Sequence, residues 1–149
     1  MSELNRREFV IATGAAVCAG IAGCASKGGQ VWTGPMTFDL PEPGQIREGI
    51  DQRWLLSGGF FLVRQQGRIY AVTSTCTHMA CTLTASNTQY VCPCHGSHFS
   101  AAGNVLRGPA AVALPRFGIS LNEAGHLYVD RNKVFGEGQW ETSGAFVKV

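Results

Sequence analysis

The sequence predicts an all-β domain, an antiparallel sandwich of short strands. β-Rich runs occur in pairs around Gly-containing turns, at residues 60–64 with 69–73 and at residues 117–121 with 126–130. In addition, 19 glycines among 149 residues leave few stretches with a helical period. Strands this short, separated by turns this frequent, are typical of a β-sandwich.

The organisation of the domain follows from the same patterns. Residues 36–40 predict one further strand, and residues 100–106 predict a third turn. We therefore expect a base formed by residues 33–73 and 113–149, with an inserted subdomain at about residues 74–112.

Composition restricts the class of protein. Hydrophobic residues make up 45% of the chain and charged residues 15%, so a packed core is expected and disorder is not. The formal net charge is +2, and basic residues do not cluster beyond one pair near the start. Such a weak and dispersed charge argues against a nucleic-acid partner.

Residues 1–24 have the pattern of an export signal. A polar start containing Arg6-Arg7 is followed by residues 9–26, which carry no charge and become rich in small residues. The paired arginines resemble a twin-arginine signal. Export would place the domain on the outer, periplasmic or extracytoplasmic, side of a membrane.

The end of that segment resembles a lipobox. Residues 21–24 finish on Cys24, which in a lipoprotein is acylated and becomes the mature N-terminus. Two alternatives remain open, namely simple cleavage and retention of the segment as a transmembrane anchor, although 18 uncharged residues are marginal for spanning a bilayer. Residues 25–32 form a short linker.

Of the six cysteines, Cys18 and Cys24 lie in the export segment, and the other four carry the chemistry. They lie in two short boxes, residues 76–81 and 92–97, each of which also holds a histidine. Four thiols and two imidazoles are more ligands than one tetrahedral zinc ion can bind. Four of the six side chains could form one metal centre, and the other two could form a disulfide. Two thiolates and two imidazoles suit either zinc or a two-iron cluster. The spacing of the second box excludes c-type haem attachment.

The two boxes resemble the signature of the Rieske iron–sulfur family. Cys76-Thr77-His78-Met79-Ala80-Cys81 matches C-T-H-x-G-C except at Ala80, and Cys92-Pro93-Cys94-His95-Gly96-Ser97 matches C-P-C-H-G-S throughout. Gly108-Pro109 resembles the proline loop of the family, and the likeness covers about residues 36–130. It implies a Rieske-type sandwich with a small cluster-binding subdomain and one [2Fe–2S] cluster.

The resemblance also implies a role for each site residue. Cys76 and Cys92 would hold the inner iron, and His78 and His95 the outer iron. A disulfide would join Cys81 to Cys94 and clamp the two boxes together. Ser97 would donate a hydrogen bond to a bridging sulfide, which raises the reduction potential.

Three positions depart from the family pattern. Phe99 stands where quinol-oxidising members often have Tyr, so a second hydrogen bond to the cluster is lost. Ala80 replaces Gly, at a cost of about 1 kcal/mol if the backbone there has a positive φ. Met79 replaces a common Leu and is expected to keep water from the site.

These features predict a one-electron carrier, because no nucleophile motif, acid–base pair or phosphate loop accompanies the boxes. The leading hypothesis is the iron–sulfur subunit of a quinol–cytochrome c reductase. It implies a cytochrome b-type subunit and a c-type cytochrome as partners and quinol as the electron donor. The alternatives are a small Rieske subunit of a periplasmic oxidoreductase, similar to that of arsenite oxidase, and a Rieske ferredoxin that serves an oxygenase.

Overall fold

The computed structural model of this chain describes residues 33–149. The linker and the export signal, with Arg6, Arg7 and Cys24, lie outside the described residues. The strands are β1 (Thr37–Asp39), β2 (Gly49–Asp51), β3 (Phe60–Gln65), β4 (Arg68–Thr73), β5 (Thr84–Ala85), β6 (Gln89–Val91), β7 (His98–Ser100), β8 (Val105–Arg107), β9 (Arg116–Leu121), β10 (Leu127–Phe135) and β11 (Val147–Lys148). Helix α1 (Leu55–Gly58) is one turn long, and 3₁₀ turns occur at Pro43–Gln45 and Glu137–Gln139. Over this part of the chain, no helix is long and apolar enough to cross a membrane.

These strands form two antiparallel sheets, which confirms the predicted all-β class. The larger sheet has the order β1-β10-β9-β4-β3-β2, with β11 also paired to β4. The smaller sheet has the order β5-β6-β7-β8 and lies inside the proposed insert at residues 74–112. The three predicted turns are present. Strand β10 runs past its predicted end, through an irregularity between Asp130 and Val134. The sequence patterns did not predict β2, β5, β6 or α1.

The β3–β4 hairpin lies at the centre of the structure and is buried on both faces. Successive side chains of a strand point to opposite faces. Phe61, Val63 and Val72 join the hydrophobic cluster that contains Cys76 and Cys92. On the other face, Phe60, Leu62, Ile69 and Ala71 join the core of the base, with Phe117, Ile119 and Val129. This two-sided burial explains why both strands are continuous hydrophobic runs rather than alternating ones.

The smaller sheet packs onto the hairpin through aromatic side chains. Tyr90 on β6 and Phe99 on β7 are fully buried, and the ring centroids of Tyr90 and Phe61 are 5.0 Å apart. The Tyr90 hydroxyl donates a hydrogen bond to the carbonyl oxygen of Ala101, 3.2 Å away. This packing fixes the inserted sheet against the base, and the loops that carry the cysteine boxes leave from the same end of it.

A buried arginine joins the base to the insert. The Arg116 guanidinium stacks between the rings of Tyr70 and Trp140, at 3.8 and 4.3 Å from their centroids, and is 5% exposed. It donates a hydrogen bond to the carbonyl oxygen of Ala102 in the β7–β8 turn. No ion pair within residues 33–149 includes Arg116, and burial lowers the pKa of its guanidinium. Stacking therefore replaces a carboxylate partner here.

Replacement of Arg116 by Lys keeps the charge but removes the planar group. We expect the free energy of unfolding to fall by about 2 kcal/mol, because two desolvated cation–π contacts are weakened. The matched control is Arg68→Lys, since Arg68 also lies over a ring, that of Phe146, but pairs with the exposed Glu141. There we expect a loss below about 1 kcal/mol. Calorimetric unfolding measures both, and equal losses would contradict the role given to Arg116.

Candidate metal centre

The two cysteine boxes fold into two separate loops that have the same pattern of backbone hydrogen bonds. In the first box the N–H of Ala80 donates to the carbonyl oxygen of Cys76, and the N–H of Cys76 donates to that of Cys81. In the second box, the N–H of Gly96 donates to the carbonyl oxygen of Cys92, and the N–H of Cys92 donates to the carbonyl oxygen of Ser97. The fifth residue of each loop has a positive φ, 55° at Ala80 and 71° at Gly96. Ala80 thus has the positive φ at which an alanine side chain is strained.

The loops place two thiols inside the protein. Cys76 and Cys92 are free, and 2% and 1% of their surface is exposed. Burial raises the pKa of the Cys76 thiol and the adjoining Cys92 raises it further, while the backbone N–H groups of His78 and Met79 act in the opposite direction. A bound cation would favour the thiolate form of such a group. Two adjacent buried thiols that are not oxidised to a disulfide are the donor set of a soft metal centre.

The same loops place two imidazoles at the surface. The rings of His78 and His95 meet edge to face, with centroids 4.9 Å apart, and both residues are exposed. Met79, expected to keep water from the site, is 59% exposed. Val112, whose carbonyl oxygen accepts a hydrogen bond from Thr77 of the first loop, is 65% exposed. The site therefore has a sulfur side within the core and a nitrogen side that faces solvent.

A third loop, around the cis Gly108–Pro109 bond, is held to both cysteine loops. The Ser97 hydroxyl is fully buried and accepts a hydrogen bond from the N–H of Ala110 at 3.0 Å. The Thr77 hydroxyl donates to the carbonyl oxygen of Val112 at 2.6 Å. Because the Ser97 oxygen accepts the Ala110 N–H, its own O–H remains able to donate to a sulfur acceptor. Local sequence patterns do not predict these two contacts, since they join residues 13 and 35 positions apart.

A disulfide joins the two cysteine loops. Cys81 and Cys94 are bonded, as expected, with their Cα atoms 6.5 Å apart and a sequence separation of 13. The sulfur of Cys92 lies within 4.8 Å of both disulfide sulfurs. Three cysteine sulfurs so close together would form a metal site only if all were thiolates, and two of them are not.

The remaining donors suit a two-iron cluster with split ligation. Cys76 and Cys92 offer two buried sulfurs, His78 and His95 offer two exposed nitrogens, and the Ser97 hydroxyl lies buried within the second loop. In Rieske centres two His replace two Cys on one of the two irons. A buried sulfur pair and a surface nitrogen pair would serve the two irons separately.

Comparison with known proteins decides the family. Residues 37–118, more than half of the chain, match the model of the Rieske [2Fe–2S] domain. The chain belongs to the Rieske domain family. It therefore binds a [2Fe–2S] cluster and transfers electrons. The match includes both cysteine loops and the loop at Gly108–Pro109.

Curated relatives of this Rieske chain include subunits of two kinds of complex. It is 36% identical over 70 residues to a cytochrome b6-f complex iron–sulfur subunit of Cyanophora paradoxa, covering 44% of this chain and 29% of that protein. It is 39% identical over 82 residues to the cytochrome bc1 complex Rieske subunit of Corynebacterium efficiens, covering 50% and 20%. The chain thus spans less than a third of the length of either relative.

One solved structure also resembles the Rieske chain. A cyanobacterial plasma membrane Rieske protein from Synechocystis is 28% identical to it. That likeness covers 62% of this chain and 98% of the other, with a TM-score of 0.46.

Ala80→Gly should stabilise the first loop. Because the left-handed conformation costs an alanine side chain about 1 kcal/mol, we expect a gain of that size in the free energy of unfolding. Gly96 already occupies the equivalent position of the second loop. The control is Ala124→Gly, since Ala124 is an exposed turn residue without a positive φ. Thermal unfolding of the cluster-loaded protein measures the change, and a loss of stability with Ala80→Gly would disprove the strain.

Proposed function

We propose that this chain is the iron–sulfur subunit of a membrane quinol–cytochrome c reductase. The observation that carries the proposal is the solvent-facing pair of imidazoles, His78 and His95, with the exposed apolar side chain of Met79 next to His78 in the first loop. An exposed apolar side chain beside polar ring edges suits a lipid-soluble quinol and the cytochrome b-type subunit that would bind it. Relatives that are named as subunits of cytochrome complexes support this choice over the alternatives.

We further propose that Cys76 and Cys92 hold the inner iron and that His78 and His95 hold the outer iron. The support is the division of the site into a buried sulfur pair and an exposed nitrogen pair. When bound, the cluster supplies reversible one-electron transfer. The exposed His95 imidazole would accept a hydrogen bond and then a proton from the quinol hydroxyl, and the electron would pass on to a c-type cytochrome.

The surrounding residues would set the conditions for that transfer. Buried side chains around Cys76 and Cys92 would keep water from the sulfurs, whereas His78 and His95 remain open to a partner. Ser97, held by the N–H of Ala110, would donate its proton to a sulfur and raise the potential. Phe99, fully buried in the same hydrophobic cluster as both thiols, has no hydroxyl to add.

We also propose export by a twin-arginine-like route, with membrane attachment through Cys24. Arg6, Arg7 and Cys24 belong to the segment outside the described residues, so the support is their sequence pattern. The Cys81–Cys94 bond adds to it, because disulfides persist in oxidising compartments and not in a reducing cytoplasm. The same bond argues against a cytoplasmic ferredoxin.

The ligand assignment has a direct test. We expect the purified chain to contain two irons and two acid-labile sulfides and no zinc. His95→Ala and Cys92→Ser should each abolish the visible spectrum of the cluster. His126→Ala is the matched control, since His126 is equally exposed but lies in the β9–β10 turn. A His95→Ala protein that keeps its full spectrum would refute the assignment.

The hydrogen bonds to sulfur predict the reduction potential. A hydrogen bond of about 1 kcal/mol corresponds to about 40 mV in a one-electron couple, where a tenfold change equals about 59 mV. We therefore expect Ser97→Ala to lower the potential and Phe99→Tyr to raise it, each by about 40 mV. Ser100→Ala is the control, because Ser100 ends β7 at the β7–β8 turn, outside both cysteine loops, where its hydroxyl accepts the N–H of Asn104. Protein-film voltammetry measures all three, and an unchanged Phe99→Tyr potential would place residue 99 out of reach of the sulfur.

A further inference from the structure

A free thiol lies beside the disulfide of the site. The sulfurs of Cys81, Cys92 and Cys94 lie within 4.8 Å of one another, and the first and third are bonded. The sulfur of Cys76, the other free cysteine of residues 33–149, is not part of this group. Cys92 is therefore the free thiol placed next to both sulfurs of the bond.

This arrangement is that of a thiol–disulfide exchange. A thiolate attacks one sulfur of a disulfide, a new S–S bond forms, and the other sulfur leaves as a thiolate. The reaction needs no oxidant, because one S–S bond replaces another. On the proposed function, on which this inference rests, Cys92 is bound to iron while the cluster is present. Its sulfur is then occupied and does not attack.

We propose that loss of the cluster starts an exchange in which Cys92 displaces Cys94 from the disulfide. The Cys92 thiolate attacks the sulfur of Cys81, the Cys81–Cys94 bond breaks, and a Cys81–Cys92 bond forms. The proton that Cys92 gives up is balanced by the one that the Cys94 thiolate takes from solvent. The number of free thiols is unchanged, and the free pair becomes Cys76 and Cys94.

Two observations favour Cys81 as the sulfur attacked. Attack on Cys94 would close a disulfide across the single residue Pro93, whose ring fixes its own φ and leaves little room to adjust. A bond from Cys92 to Cys81 instead joins the two loops, as the existing disulfide does. In addition, Cys94 is exposed whereas Cys81 is half-buried, so water stabilises a leaving thiolate better at Cys94.

The exchange would slow the reloading of an emptied site. It consumes one of the two proposed thiolate ligands, so the cluster can return only after the Cys94 thiolate attacks Cys81 in the reverse step or a thiol reductant opens the Cys81–Cys92 bond. A thiol reductant would therefore speed reloading. The disulfide would clamp the loops of the loaded protein and delay reloading of the emptied one.

Two variants that differ only in the thiol they retain test this proposal. Cys76→Ser keeps Cys92, and Cys92→Ser keeps Cys76, while each lacks one proposed ligand. Both full-length chains are purified without oxygen, treated with iodoacetamide in the folded state and mapped by peptide mass spectrometry, which assigns each linkage, including any at Cys18 or Cys24. We expect a Cys81–Cys92 bond and alkylated Cys94 in most molecules of Cys76→Ser. In Cys92→Ser we expect an intact Cys81–Cys94 bond and no alkylated Cys94.

The wild-type chain gives the independent measurement. Its linkages are mapped before and after the iron is removed with a chelator under the same anaerobic conditions. The exchanged linkage after removal, together with faster spectral recovery on reloading when a thiol reductant is added, supports the proposal. An unchanged Cys81–Cys94 bond, or pairings that include Cys76, would overturn it. If both variants keep the cluster spectrum, the ligand assignment fails, while the mapping of the chelated wild-type chain still decides the exchange.

Discussion

The Cys81–Cys94 disulfide joins two loops whose own hydrogen bonds only close each loop on itself. A bond that closes a loop of this length contributes about 3 kcal/mol in the chain-entropy account. It holds the loops face to face, so that the two thiols meet inside and the two imidazoles meet outside. The third loop depends on that arrangement, because its hydrogen bonds go to Thr77 on one loop and to Ser97 on the other.

The β3–β4 hairpin provides the support beneath the loops. One of its faces belongs to the core of the base, and the other belongs to the cluster of side chains around Cys76 and Cys92. A substitution that changes side-chain volume on either face of the hairpin is therefore expected to disturb the packing of both layers, because protein interiors are closely packed. Arg116 adds a second connection, at the turn of the β7–β8 hairpin. There its charged group stacks against two rings and forms no ion pair within residues 33–149.

The separation of sulfur from nitrogen links this architecture to electron transfer. The thiols lie where water is excluded, and the imidazoles lie where a partner can reach them. Within the proposed insert at residues 74–112, Arg107 is the sole Lys, Arg, Asp or Glu. The titratable groups that the two cysteine loops expose to a partner are thus the two histidines.

The sequence by itself determined the class of fold, three turns and the six side chains that carry the chemistry. Paired hydrophobic runs identify the hairpins, because strand periodicity is a local property of the chain. Closely spaced Cys and His residues indicate a metal centre by residue type and spacing alone. Only the tertiary structure decided which side chains are buried, that Ala80 has a positive φ, and that Ser97 and Thr77 hold the third loop. It also decided that Cys92 adjoins the disulfide and that Arg116 lies between Tyr70 and Trp140. These features join residues far apart in the chain, and no local pattern specifies which distant partner a side chain will meet.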